Sequence, residues 1–362
     1  MRIAVTGATG NVGTRLLEQL HTDPDIEQVV AIARRLPTGD DLPPFLTENV
    51  VWRSIDVASP DSPAQLRAAF AGVDAVVHLA WLIQPSHAPE LMRAVNVDGT
   101  RHVVRALLDA GVPTLVALSS VGAYSPAPKS TPVAESWPTE GVPGSLYSAH
   151  KAAQERVLDD TEAERPGLRV VRVRPGVILQ RQAASSQGRY FLGPFLPVPL
   201  LRPGHLPVLP LPRGLRLQIV HTADVARAVV LALRSDVRGG LNLAADPPLD
   251  AGTLGAFFSA RVVPLPPAAV RAAVELTWRL RLHPTDRGWV ELALRSPVLA
   301  TGKARSLGWE PWHDALSTLR EWLEGAHAAS GGPTPVLRRV TGPVDQLRSG
   351  LRALCAGSGG RI

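Results

Sequence analysis

Cysteine occurs once, as Cys355. That excludes an internal disulfide and any cysteine-rich metal site, and no metal centre is expected. Lysine is nearly as scarce, with only Lys129, Lys151 and Lys303, so arginine carries most of the basic charge. Tyrosine also occurs three times. No apolar run reaches the roughly 18 residues of a membrane-spanning helix. The N-terminal MRIAVTGATG lacks a basic leader and a cleavage signal, so a cytoplasmic protein is expected. What remains is ordinary for a globular chain of 362 residues, 45% hydrophobic and 19% charged.

The isoelectric point near 10.2 invites a nucleic-acid reading, but the charge is badly distributed for one. From residue 326 onward there are five arginines and one aspartate, out of a total net charge of +6. The preceding body is close to neutral. No nucleic-acid partner is expected; the expected partner is a small molecule.

Residues 1–175 alternate short apolar runs with helical stretches. The runs 3–6, 29–33, 50–52, 75–79, 115–119 and 170–174 read as buried strands. Helices are expected over 11–21, 63–70, 90–110 and 147–164. This alternation predicts an α/β fold, a Rossmann-type doubly wound parallel sheet covered on both faces. Residues 1–175 form the dinucleotide-binding domain, with 217–245 returning to it. Residues 176–325 form a smaller, mostly helical substrate region. Its Pro/Leu-dense stretch 191–216 is expected to be irregular, a wall or lid. The basic tail 326–362 is expected to be partly disordered or an amphipathic helix, because Leu337, Val340, Val344, Leu347, Leu351 and Leu354 recur three and four apart.

TGATGNVG, residues 6–13, follows the first strand and opens the first helix. Gly7 permits a tight turn, Gly10 lets the backbone approach a pyrophosphate, and Gly13 permits close helix packing. Thr9, Asn11 and Val12 share that loop. The free N–H groups of a helix N-terminus suit phosphates. The second strand ends in Ala33, Arg34 and Arg35, with no carboxylate to repel a 2′-phosphate. Arg34 can pair with one, so NADP is favoured over NAD. Asp56 and Val57, after the third strand, are placed to meet adenine.

Tyr147 and Lys151 lie one turn apart on a helix. With three tyrosines and three lysines in the chain, chance supplies ~0.025 such pairs, and the context makes this one informative. A phenol near pKa 10 trades protons poorly at neutrality, and an adjacent ammonium is expected to lower that value. Lysine's compact charge serves this purpose better than arginine's planar fork. Ser120 ends the fifth strand, where open parallel sheets place ligands. Tyr147 is the expected general acid or base and Ser120 its hydrogen-bonding partner.

Together these segments resemble the extended short-chain dehydrogenase/reductase family, also called the NAD-dependent epimerase/dehydratase family. The likeness spans most of residues 1–245. It rests on TGATGNVG, IDV at 55–57, VHLA at 77–80, NVDGT at 96–100, LSSVGAY at 118–124, YSAHK at 147–151, RPG at 174–176 and VHTADVARA at 220–228. The resemblance implies that Gly7, Gly10 and Gly13 bind pyrophosphate. It implies that Asp56 and Val57 contact adenine, that Leu79 and Ala80 lie along the ribose, and that Asn96 fixes the active-site backbone. Ser120, Tyr147 and Lys151 would be the catalytic triad, with Pro175 and Val177 flanking the nicotinamide. Family members often pair through helices corresponding to 90–110 and 147–164, which implies a homodimer.

Several departures narrow the function. Trp81 follows VHLA where the family often has a small residue, and would narrow the pocket or stack on substrate; Trp81 and Tyr124 are the candidate substrate contacts. Val121 and Gly122 follow Ser120, in place of the acidic pair that 4,6-dehydratases carry. RPGVILQ replaces the Asn and Tyr-Gly-Pro of sugar-nucleotide members. The reading is an NAD(P)-dependent oxidoreductase moving a hydride between nicotinamide and a carbonyl or secondary alcohol carbon of a small, rather apolar substrate. Two alternatives stand: a nucleotide-sugar epimerase with retained NAD, whose diphosphate Arg189, Arg202, Arg213 and Arg216 would hold, and a non-catalytic dinucleotide-sensing protein.

Overall fold

The computed structural model describes residues 1–39, 41–84, 87–191 and 201–338. Seven strands form the central sheet: β1 (Arg2–Thr6), β2 (Gln28–Ala33), β3 (Val50–Ser54), β4 (Ala75–His78), β5 (Thr114–Leu118), β6 (Arg169–Pro175) and, much later, β11 (Gly239–Leu243). Their spatial order is β3-β2-β1-β4-β5-β6-β11, and every pairing is parallel. The order reverses between β1 and β4. In an open parallel sheet that reversal leaves a crevice at the strands' carboxyl ends.

Both faces of the sheet are covered, which is why its central strands β1, β2, β4 and β5 are largely apolar on both sides rather than alternately, whereas β6 carries Arg169, Arg172 and Arg174. On one face α1 (Asn11–His21) packs with α7 (Thr222–Arg234), burying Leu16, Leu17, Leu20, Val225 and Val229 against Ile3, Val5 and Val77. On the other, α2 (Ser62–Ala69), α4 (Gly99–Asp109) and α5 (Leu146–Glu164) bury Leu66, Leu107 and Leu158 against Ala4, Ile32 and Val76.

The stretch 90–110, read as one helix, is three pieces. The short α3 (Pro89–Arg93) runs into a π-helical turn over Ala94–Asp98, and α4 follows. Such turns recur at functional sites. Here the turn carries Asn96, fully buried, whose amide clamps Leu82: Oδ1 accepts from the Leu82 N–H at 2.7 Å and Nδ2 donates to its carbonyl at 2.9 Å.

Beyond β6 the chain runs through β7 (Val177–Leu179), α6 (Ala184–Phe191), β8 (Val208–Pro212), β9 (Arg216–Leu217) and β10 (Ile219–His221) before α7 and β11. It ends in β12 (Leu249–Asp250), α8 (Ala251–Phe258), β13 (Arg261–Leu265), α9 (Pro267–Arg279), α10 (Arg287–Arg295), α11 (Gly302–Ser306) and α12 (Ala315–His327). The Pro/Leu stretch holds one strand after all. β8 pairs in parallel with β13, and a two-stranded ribbon leaves each strand a free edge where proline's missing N–H does no harm. Residues 192–200 of that stretch lie outside the described residues.

The tail departs from its expectation at its start. Past α12 the chain forms turns rather than helix, and burial pins it: Leu337 is 2% exposed, and fully buried Thr334 donates to the Thr9 carbonyl at 2.8 Å. The rest of the expected amphipathic repeat, from residue 339, lies outside the described residues.

Candidate active site

The glycine turn closes directly on β4. Gly7 has φ +74°, and a Cβ there would sit 2.6 Å from the Ala80 nitrogen, so Leu79 and Ala80 are in backbone contact with the loop. At Gly10 a Cβ would meet only the Gly7 carbonyl, at 3.1 Å, and its other side is open. Gly10 is the N-cap of α1, and no side chain caps it. Its helix therefore presents N–H groups and a positive dipole end to the β1/β4 crevice. Thr9, Val12 and Gly13 are buried beneath the loop. The Asn11 side chain is engaged elsewhere: its Oδ1 accepts from Gln180 Nε2 at 2.7 Å and from Thr222 at 3.4 Å. This open cradle fits a dinucleotide's pyrophosphate.

Along the same edge, Arg34 and Arg35 are exposed at the end of β2, and among the described residues neither is ion-paired. Asp56 Oδ1 accepts from the Ala58 N–H at 3.1 Å, and Val57 is buried at 5% exposure. Pro175 ends β6, and Val177 is 43% exposed beyond it. Asn96 acts on the backbone next to Trp81 through Leu82, so its hydrogen bonds are spent within the protein.

Ser120, Tyr147 and Lys151 converge. α5 begins at Ser145, whose side chain caps it by accepting from the Ser148 N–H, so Tyr147 falls in the first turn and Lys151 in the second. Ser120 Oγ accepts from the Gly122 N–H at 3.0 Å, and its side chain lies near enough to the Tyr147 hydroxyl to pull that group's pKa down. The phenol ring lies against Gly122, where a Cβ would come within 2.8 Å of Tyr147 Cε1.

The electrostatics differ from the expectation that Lys151 lowers the phenol. Burial pushes Tyr147 up to about 12, with the neighbouring Ser120 side chain pulling the other way. Lys151, 2% exposed, is held well below its ordinary value by burial, with Glu155 pulling the other way. Its ammonium donates to the Leu118 carbonyl at 2.8 Å and to Gln154 Oε1 at 3.0 Å, and lies 3.4 Å from the centre of the Trp81 ring. Desolvation wins because these apolar walls remove water from both groups at once. His78, under Lys151, is driven down to about 3 by burial and then by that ammonium; its ring hydrogen-bonds Thr6 and Thr100.

Tyr124 is corrected. It is fully buried, and its hydroxyl donates to Asn242 Oδ1 at 2.6 Å while accepting from Arg174 Nη1 at 2.9 Å. It locks β6 to β11 and offers nothing to a substrate. Trp81, by contrast, meets Tyr147 edge-on, with ring centres 6.0 Å apart.

Sequence reasoning missed the groups that hold this site. Glu155, one turn past Lys151, is fully buried and takes a two-pronged bond from Arg174, at 2.8 Å on each oxygen, plus a 2.5 Å bond from Ser119. The signal was present in RPG and in the four-residue step from Lys151. Trp289 on α10 faces Tyr147 at 5.2 Å and Phe191 of α6 at 4.8 Å; neither had a local signal. Away from the crevice, His221, Asp224 and His313 bring ligand-type atoms within 4.8 Å of one another. Their bonds tie the chain together: His221 Nδ1 caps α7, and Asp224 accepts from the Trp312 N–H and from His313.

The NAD dependent epimerase/dehydratase family model matches residues 3–244. A hybrid PKS-NRPS synthetase, mpsA of Macrophomina phaseolina, is 35% identical over 184 residues, 48% of this chain and 4% of its own length. An L-arabinose 1-dehydrogenase (NAD(P)(+)) of Haloferax volcanii is 35% identical over 188 residues, 49% of this chain and 67% of its own. Among solved structures, the UDP-glucose 4-epimerase of Thermus thermophilus, complexed with NAD, aligns with a TM-score of 0.64 at 22% identity, covering 91% of this chain and all of that one. At that identity the likeness concerns the fold.

Proposed function

This chain belongs to the NAD-dependent epimerase/dehydratase family and is an NAD(P)-dependent enzyme of the extended short-chain dehydrogenase/reductase type, and on that premise we propose that it interconverts a carbonyl and a secondary alcohol on a small, rather apolar substrate. The observation that carries the reading is the Tyr147 hydroxyl, with the Ser120 side chain near enough to act on its pKa and with Trp81 and Trp289 packed against its ring. The Haloferax relative, named as a dehydrogenase, is in keeping with oxidation of an alcohol carbon.

The bound dinucleotide supplies or accepts the hydride. Gly7, Gly10 and the start of α1 would hold its pyrophosphate, Asp56 and Val57 would meet the adenine end, and Leu79 and Ala80 would lie beside the ribose. Val177 and Pro175 border the nicotinamide end. Arg34 favours NADP over NAD, because an exposed guanidinium with no ion pair among the described residues can grip a 2′-phosphate. Ser120 and Tyr147 bind the substrate oxygen. In the reducing direction Tyr147 gives its proton to that oxygen. Its raised value keeps the proton on the phenol throughout the neutral range. Lys151, which donates to Leu118 and Gln154 and lies against the Trp81 ring, would supply a positive charge beside the ribose of a bound dinucleotide.

The test is Tyr147→Phe, measured with NADPH and a panel of aldehydes, ketones and L-arabinose. Turnover is expected to fall about 10²–10⁴-fold, the usual contribution of a positioned acid or base. The cofactor dissociation constant should stay within about threefold, since the phenol's work is on the reacting oxygen. Loss of cofactor binding instead would make the residue structural. Epimerisation of a nucleotide sugar by protein carrying tightly retained NAD would favour the epimerase reading.

A further inference from the structure

The surroundings of the Tyr147 phenol specify more than apolarity. One face of its ring lies on Gly122, and Trp289 lies over it with ring centres 5.2 Å apart at 36°. Trp81 presents from the side at 76°, and Phe191 backs Trp289 edge-on at 4.8 Å. Leu292, one turn along α10 from Trp289, also reaches Gly122.

This wall is rigid rather than a passing lid. Gly288 lies so close to the start of α5 that a Cβ would stand 2.7 Å from the Gly144 carbonyl and 3.1 Å from Ser145 Cα. Glu291, 7% exposed, ties α10 to α9 through Arg271 at 2.7 Å. Trp289 is thus clamped to the same helix end that carries Tyr147, and cannot swing away without breaking that contact.

The hydrogen-bonding inventory is short. Trp81 Nε1 is buried and, among the described residues, has no partner. Among the described residues, the polar groups around the phenol include this N–H, the hydroxyls of Ser120 and Tyr147 and, against Trp81, the Lys151 ammonium. A sugar would bring several hydroxyls into this space, and each one left unpaired costs about 1–3 kcal/mol. A flat ring demands no such partners and gains from the two indole walls, since aromatic pairs prefer offset or edge-on contact.

We infer that the substrate carries an aromatic or conjugated planar group next to the reacting carbon, held between Trp81 and Trp289, which set specificity. This rests on the carbonyl–alcohol reading above. In the reducing direction the carbonyl carbon gains a hydride and its π bond to oxygen breaks. The oxygen takes the Tyr147 proton, and the dinucleotide is oxidised.

The experiment compares acetophenone with cyclohexyl methyl ketone, matched in size but not planar, using the full chain and NADPH, with L-arabinose and NADP as a third arm. Acetophenone is expected to show at least a tenfold higher kcat/KM than the saturated ketone. Trp289→Leu should collapse that ratio to below about threefold, and Trp289→Phe should keep the preference. Thermal melting checks that each variant is folded. If Trp289→Leu does not fold, the ratio in Trp81→Leu decides instead. A wild-type ratio near one, or a ratio that survives loss of the indole in a folded variant, overturns the inference. So does oxidation of L-arabinose without reduction of either ketone, although carbonyl–alcohol chemistry then stands. No turnover in any arm, with cofactor bound, overturns the underlying reading as well.

Discussion

The carboxyl edge of the central sheet and the α9–α10 arm both border the Tyr147 phenol, yet they are built on opposite plans. Beneath Tyr147 at the sheet edge the buried carboxylate is fully paired: Glu155 has no exposure and is gripped by Arg174, Arg172 and Ser119. These bonds hold α5 to β5 and β6 and so fix where Tyr147 and Lys151 stand. In the arm, α9 buries no residue at all, and Leu276 and Leu280 are 58% and 59% exposed. The arm contributes through one clamped helix end and one indole. The residues proposed for proton transfer thus stand on a buried, paired network, whereas the indole proposed to meet substrate is clamped at one helix end of an arm whose outer helix is largely exposed.

Four measurements can break or sharpen that contrast. Arg174→Leu should have the largest effect. It strips the two-pronged partner from a buried carboxylate and a bond from Tyr124, and about 3 kcal/mol of folding stability should be lost in urea denaturation. A loss below about 1 kcal/mol would show that Arg172 alone satisfies Glu155. Acid comes next. His78 is neutral when folded, with its value driven from 6.5 to about 3, so the unfolded chain binds the extra proton between those limits. Its contribution is intact above pH 6.5 and declines as pH falls toward 3, by about 3 kcal/mol at pH 4. His78→Gln should flatten that slope; an unchanged slope would assign it to the carboxylates. Third, Arg34→Glu should shift the NADP-to-NAD ratio of kcat/KM by about tenfold to a hundredfold, as expected for one lost charge-assisted pair and one new repulsion. An unmoved ratio would place the 2′-phosphate elsewhere. The smallest effect belongs to the arm: Leu280→Gln should change stability by less than about 0.5 kcal/mol, because its side chain already faces water. A larger loss would mean that α9 is covered in solution.

Much of the sheet edge was legible because its signals are local. The strand–turn–helix of 2–21, the Tyr147 to Lys151 step and Ser120 at a strand end each need only a few neighbouring residues to state their purpose. The reading failed where the outcome depends on which side of an element a residue faces. Tyr124 sits in the same motif as Ser120, yet the turn at Val121–Ala123 sends its ring into the seam with Asn242, 118 residues away. The π-helical turn at Asn96 was invisible because its apolar spacing still fits an α-helix. The sign of the shift at Tyr147 went wrong for a related cause: a nearby lysine is visible in sequence, whereas loss of water around both groups is not.

By itself, the order of residues determined the parallel sheet, the glycine cradle and the one-turn spacing of the candidate pair Tyr147 and Lys151, because those depend on backbone preference and on spacings of a few residues. Only the tertiary structure decided what encloses that pair. Trp289 stands 142 positions from Tyr147 in the chain, and its place over the phenol rests on a close approach at Gly288 and an ion pair at Glu291. Contacts of that range are set by packing between elements, and packing leaves no periodic trace in either segment alone.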